Sequence, residues 1–96
     1  MSKLLVVSAA ERDFTEALCW YAERSQQAAE GFLGEFERAL GSIEADPGRF
    51  PLCDQRHRYY LMRRYPFQVI YREHADHLVI IAVAHTKRQP GYWSER

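Results

Sequence analysis

The run Leu78-Val79-Ile80-Ile81-Ala82-Val83-Ala84 constrains this chain more than any other feature. It is too short for a packed helix and too β-branched to be a loop, so it reads as a strand. A strand with no polar face has to be central and covered on both sides. The rest of the chain must therefore supply two layers of cover. The run is also far below the roughly twenty residues that a membrane span needs. With 96 residues, the chain is expected to form one domain over residues 1–96. Such a domain buries roughly 60–70% of its unfolded surface. Hydrophobic residues at 47% and charged residues at 27% argue against disorder.

On either side of that strand the period of the apolar residues changes. Lys3 to Val7 reads as a short strand. Ser8 with Glu11 three positions on has the form of a capping box. Phe14, Ala17, Leu18, Tyr21 and Ala22 then recur at helical spacing, opposite Arg12, Asp13, Glu16 and Glu23. A second helix starts near Gln26 with Ala29, Phe32, Leu33, Phe36, Leu40 and Ile43 on one stripe, and Asp46-Pro47-Gly48 ends it. Gly31, Gly34 and Gly41 within it are read chiefly as tolerated, with close approach of another element as the alternative. The few residues around Ser25 imply an antiparallel helical hairpin. After a loop over residues 48–58, Tyr59 to Arg64 and Phe67 to Arg72 read as strands broken by Tyr65-Pro66, and Leu78 to His85 as the last. Short turns make these three an antiparallel meander. The expected fold is α+β, ordered β-α-α-β-β-β, an antiparallel-rich sheet with both helices on one face. Residues 86–96 form a basic, aromatic tail with no clear strand or long helix.

The net charge of zero conceals a division. Residues 1–48 carry four Lys/Arg and nine Asp/Glu, and residues 49–96 carry nine and four. From Arg49 to Arg72 there are six arginines against the single acid Asp54. Such a stretch is either a solvated strand face or a surface for an anionic partner. Cys19 and Cys53 do not make a disulfide framework, and Met1 to Val7 is too short for a signal peptide, so a cytoplasmic protein with reduced thiols is expected.

Taken together, Ser8-Ala9-Ala10-Glu11-Arg12-Asp13, Asp46-Pro47-Gly48-Arg49-Phe50-Pro51, the Leu61 to Tyr71 hairpin around Tyr65-Pro66-Phe67, and Val83 to Trp93 with His85 and Pro90 resemble the RelE/ParE superfamily. These are the toxins of type II toxin–antitoxin modules. The resemblance covers nearly the whole chain. It implies a small toxin neutralised by a cognate antitoxin, in a hetero-oligomer with it or in a homo-oligomer, with a role such as plasmid stabilization. Two target classes occur in the superfamily. RelE-like members cleave mRNA on the ribosome, whereas ParE-like members inhibit DNA gyrase by binding.

Metal-independent RNA cleavage needs a base, an acid and cations around the phosphate. Within the resemblance the candidates are His85, Tyr92 and Arg64, with Arg63, Lys87 and Arg88 near them. Gln68 and Thr86 stand where RelE-like enzymes carry arginines, which counts against nuclease activity. The preferred expectation is therefore a ParE-like protein acting by binding. The alternatives are the endoribonuclease and a non-toxic domain that has kept the fold, so enzymatic activity stays open. Arg56, Arg58, Arg63, Arg64, Lys87, Arg88 and Trp93 are the candidates for contacting target or antitoxin. Leu5, Trp20, Leu33 and Leu40 are candidates for an exposed apolar antitoxin surface, with core packing expected for most of them. Cys53 with His57, and His74 with His77, do not complete a tetrahedral zinc set, so neither metal nor cofactor is expected.

Overall fold

The computed structural model describes residues 3–96. Strand β1 (Lys3–Val6) is followed by helices α1 (Ser8–Arg24) and α2 (Gln26–Ala45), a 3-10 turn at Pro47–Arg49, and strands β2 (Arg58–Leu61), β3 (Phe67–Glu73) and β4 (His77–His85). The sheet order is β1-β4-β3-β2. The apolar strand is thus interior, and β2, β3 and β4 form the antiparallel meander. β1 pairs parallel to β4. A parallel neighbour needs a long crossover, and the helical hairpin is that crossover.

The expected capping box at Ser8 does not form. Val7 is the cap residue of α1, and no side chain assists it. Its amide still bonds to the Ile80 carbonyl at 3.1 Å, while its own carbonyl accepts from Ala10 and Glu11 at 3.0 and 3.1 Å. Strand runs directly into helix, so Ser8 already lies within the first turn. The side-chain cap is made by Ser25 instead, whose Oγ accepts from the Ala28 amide at 3.1 Å. Ser25 also donates its amide to Tyr21, at 2.8 Å, so one residue turns the whole hairpin.

Both faces of β4 are covered. The helical face packs Phe32, Ala39 and Ile43 against Val69, Tyr71, Leu78, Ile80 and Val83, all buried, with Phe14, Tyr21, Phe36, Tyr65 and Phe67 around them. The opposite face packs Ile70, Ile81, Ala82 and Ala84 under Trp93. Leu78 and Ile80 alternate normally, but Val83 follows Ile80 on the helical face. The register shift between Ile70 and Tyr71 explains this, because β4 holds one more residue than β3 there. Burial on both faces is why the strand shows no alternation in sequence.

Of the α2 glycines, Gly31 alone is approached closely. A Cβ there would collide with the Tyr65 hydroxyl, which bonds to the Ala28 carbonyl at 2.8 Å, whereas Gly34 and Gly41 face open space. Among the described residues, no helix is long and apolar enough to cross a membrane.

Candidate functional site

The sequence offers the arginines as one group, and the structure divides them. The β2–β3 turn holds Arg63 and Arg64, both exposed, with Arg64 in the left-handed region at φ 71°. The Thr86 amide bonds to the Pro66 carbonyl at 2.8 Å, tying the start of the tail to that turn. Phe67 lies opposite His85 in the sheet. Arg63, Arg64, His85, Lys87 and Arg88 therefore share one end of the molecule. Arg58 pairs with Tyr71 nearer the other end of β3, where its guanidinium donates to the Phe50 carbonyl at 2.7 Å and lies 3.5 Å from Glu73. Arg56 lies beside it and reaches the Ser94 carbonyl at 3.5 Å. Arg58 in particular ties the loop before β2 to the sheet.

Trp93 also departs from the expectation of a contact residue. Only 4% of it is exposed, because its ring covers the second face of the sheet. That face carries Ile70, Ile81, Ala82 and Ala84, and no helix reaches it, so the tail ring is its cover.

The tail is fastened at a strand edge. β1 stops beside Ile80, leaving the outer edge of β4 without a partner strand beyond that point. Asp13 of α1 and Arg96 of the tail take over. Asp13 Oδ2 accepts from the Val83 amide at 3.1 Å, and Arg96 Nη1 donates to the Ile81 carbonyl at 3.1 Å. The two side chains meet in an ion pair at 2.6 Å. Hydrogen bonding to the Asp13 carboxylate raises the already high pKa of Arg96. Arg72 holds the same tail residue through its carbonyl.

Next to this latch a cleft of about 410 Å³ opens between α1 and the end of β4. Trp20, Tyr21, Phe67, Val83, His85 and Tyr92 line it, with Asp13 and Glu16 on one side and Arg88 on the other. His85 Nδ1 accepts from the Lys87 amide at 3.1 Å, which puts the proton of the neutral ring on Nε2. The His85 ring meets Phe67 edge-on at 5.1 Å. Tyr92 lies between two guanidinium groups, with Arg88 at 3.7 Å and Arg96 at 5.1 Å from its ring centre. Its hydroxyl is buried with no hydrogen-bond partner. Burial, and after it the charge of Asp13, pushes its pKa up, so the phenol holds its proton.

Of the apolar candidates, Leu5, Trp20 and Leu33 are exposed, while Leu40 is half-buried against the helical core. Asp13, Glu16, Tyr21 and Phe67 were not singled out as site residues by the sequence. The one signal was that Asp13 and Glu16 lie on one flank of α1 beside Ala17. Cys53 and His57 prove to be parts of a stapled loop. The His57 ring, 1% exposed, bonds through Nδ1 to the Asp54 carboxylate at 2.8 Å, and Cys53 Sγ donates to the His57 carbonyl at 3.5 Å. Burial raises the Asp54 pKa, but the amides of Arg56 and His57 and the His57 ring outweigh it and hold the carboxyl below its usual range. The His74 and His77 rings stack at 4.5 Å. Among the described residues, no three His, Cys, Asp or Glu side chains are grouped to hold a metal ion.

A helical hairpin crossing over to a parallel edge strand, an antiparallel meander and a cationic end joined to a folded-under tail define an α+β fold of the RelE/ParE kind. The family model described as the ParE toxin of the type II toxin–antitoxin system parDE matches residues 5–90, and the chain belongs to this family. A solved chain titled as the chromosomal ParDE toxin–antitoxin system from P. aeruginosa superposes with a TM-score of 0.79 at 14% identity. The match covers 91% of this chain and 98% of that one, and at such identity it is a likeness of fold. No curated protein sequence is significantly similar to this chain.

Proposed function

We propose that this ParE-family toxin acts by binding DNA gyrase rather than by cutting RNA, that a cognate antitoxin neutralises it, and that the module serves replicon maintenance such as plasmid stabilization. Gyrase works on chromosomal and plasmid DNA, so the site of action is the cytoplasm. One observation carries the preference for binding. The Tyr92 hydroxyl is buried and has no hydrogen-bond partner, so it is not presented to a phosphate as an acid. His85, whose Nδ1 is engaged by the Lys87 amide, faces an apolar ring rather than a carboxylate or a second base. Acid–base cleavage needs paired groups poised around the scissile bond, and this end of the molecule offers mainly fixed positive charge. Exposed Arg63, Arg64, Lys87 and Arg88 suit recognition of an acidic surface.

The test is expression without antitoxin, followed by separate assays of supercoiling and translation. Inhibition of supercoiling by the purified chain, with accumulation of DNA cleavage complexes, is the expected result. Codon-specific mRNA cuts on programmed ribosomes that disappear in His85→Ala would replace this reading with the endoribonuclease. Growth without any phenotype would replace it with a non-toxic binding domain.

A further inference from the structure

The hairpin of β2 and β3 has a second cationic end, opposite Arg63 and Arg64, which gyrase binding through those residues leaves unused. β2 stops at Arg58, opposite Tyr71, whereas β3 runs on to Glu73. Before Arg58 the chain swings away from β3 and closes on itself. Leu52 bridges to Arg58, the Cys53 amide donates to the His57 carbonyl at 2.8 Å, and the Asp54 carboxylate accepts from the amides of Arg56 and His57 at 2.8 and 2.7 Å. Between this stapled loop and the end of β3 lies a pocket of about 390 Å³. Arg56, Arg58 and Arg72 line it, and Glu73 is the one carboxylate among the lining residues.

Each of the three guanidinium groups is held by some of its five N–H donors and keeps others. Arg58 gives Nη1 to the Phe50 carbonyl at 2.7 Å and sets Nε 3.5 Å from Glu73. Arg72 gives Nη2 to the Arg96 carbonyl, and Arg56 reaches the Ser94 carbonyl at 3.5 Å. Glu73 is thus already paired, and Asp54 spends its carboxylate on two amides and the His57 ring. A backbone donor joins them. Met62 donates to the Phe67 carbonyl at 2.9 Å, so the odd-numbered residues of β3 turn their peptide groups towards β2. On the other side the His74 amide bonds to the His77 carbonyl at 2.9 Å, which keeps the same alternation. The Glu73 amide therefore points past the end of β2 into the pocket, and no residue of the loop accepts from it.

We propose that this pocket binds a phosphate group, carried by a nucleotide or by a nucleic-acid backbone. A carboxylate offers two oxygens in one plane and suits a single arginine fork. A phosphate is tetrahedral and takes donors from several directions at once. Here they come from the loop at Arg56, from the start of β2 at Arg58, and from the end of β3 at Arg72 and the Glu73 amide. Their existing bonds fix these groups in advance, which lowers the ordering cost of binding. Glu73 shares the helical side of the sheet with Tyr71 and Arg58, whereas Arg56 and Arg72 reach the carbonyls of the tail. The phosphate therefore sits towards Arg56 and Arg72, away from the Glu73 carboxylate. His74, whose ring stacks on His77 at 4.5 Å, lies beside it. The site is separate from Arg63, Arg64 and His85, so it stands or falls independently of the gyrase reading.

NMR of the full chain, titrated with inorganic phosphate and, at equal ionic strength, with acetate or chloride, tests this. The Glu73 amide and the Arg56 Nε–H are expected to shift saturably with phosphate, which should bind at least about tenfold more tightly than acetate. Gln55 lines the pocket, is exposed and makes no side-chain hydrogen bond, so charge can be added there without removing a bond. Gln55→Glu should weaken phosphate binding about fivefold, and Gln55→Lys should strengthen it by a similar factor. Arg56→Gln should also weaken it about fivefold, whereas Arg64→Gln at the other end should leave it unchanged. Arg58 and Arg72 are kept intact because they fasten the loop and the tail. Adenosine monophosphate and a short DNA duplex separate the two sources. Duplex binding that weakens in Gln55→Glu supports the proposal for a nucleic-acid backbone. Adenosine monophosphate binding more tightly than inorganic phosphate supports it for a nucleotide. No shift beyond that given by chloride overturns the proposal. So does acetate binding as tightly as phosphate, or a phosphate response that Arg64→Gln abolishes and Gln55→Glu leaves intact.

Discussion

The two faces of β4 are buried by different means. On the helical side, rings from both helices and the β2–β3 turn meet in a continuous cluster. Phe32 stacks with Phe14 at 5.5 Å and meets Tyr21, Tyr65 and Phe67 at 5.2 to 5.4 Å. On the tail side, a short irregular segment does the covering. It relies on one buried ring, on the latch at Arg96 and on two bonds to the tail backbone, from Arg56 to Ser94 and from Arg72 to Arg96. Three of the buried polar atoms that lack a partner, Arg72 Nε, Tyr92 Oη and Trp93 Nε1, belong to this side. The contrast teaches where stability and adaptability are separated. The helical face sets the global stability, and the tail face is a separately fastened layer that opens at lower cost.

The largest expected effect lies on the helical side. Phe32→Ala should lower global stability by about 4 kcal/mol, the usual range for a fully buried phenylalanine, measured by urea denaturation. Trp93→Ala should cost less, about 2 kcal/mol, because the tail can lift while the helical core persists. Hydrogen exchange should then show fast amides in the tail and protected amides in α1. A loss at Trp93 as large as at Phe32, with uniform exchange, would break the comparison. Next comes Asp13→Ala, which removes a bond to the Val83 amide and the partner of Arg96, at about 1–3 kcal/mol. Its signature should be a loosened tail, read from Trp93 fluorescence before global unfolding.

The smallest effect concerns Tyr71, buried on the helical side, with its hydroxyl donating to the Pro47 carbonyl. Burial pushes its pKa up to about 12. A pKa higher in the folded state than in the unfolded one means that stability is fully present below about pH 10. It is lost as the pH rises towards 12, because the unfolded chain ionises first. Tyr71→Phe should cost about 1 kcal/mol at neutral pH and flatten the fall of stability above pH 10, as a denaturation series across that range would show. A variant curve as steep as that of the parent would mean that Tyr71 is not the group responsible.

Much of the architecture was legible because local period and punctuation dictated it. The apolar stripe through Phe32, Phe36 and Ile43, the stop at Asp46-Pro47 and the turn at Tyr65-Pro66 are each local signals, and the elements fall within a residue or two of their expected limits except β2, which ends at Leu61, three residues before the expected Arg64. What could not be read depends on distant partners. Ser8 has every local mark of a cap, yet the ladder bond of Val7 to Ile80 fixes where the helix starts. Trp93 looks like a contact residue until the second face of β4 requires cover. Asp13 and Arg96 are 83 positions apart, and nothing local joins them. The arginines read as one cluster because they are close in sequence, but a hairpin sends Arg58 and Arg64 to opposite ends of its ribbon. The cationic end with His85 was legible as a list of residues. The cleft beside it was not, since it arises where one strand stops short of its neighbour.

The extra residue at Ile81 has a consequence for how this strand can vary. It acts as a phase shift, so the inward and outward assignments of residues 77–80 and 82–85 are related by an offset rather than by simple parity. Removing that one position would leave Leu78, Ile80 and Val83 on the helical face in simple alternation, with Ala82 still opposite Ile70. A deletion at this point should therefore be far better accepted than one elsewhere in the strand, where a slip of one residue turns every side chain beyond it to the other face.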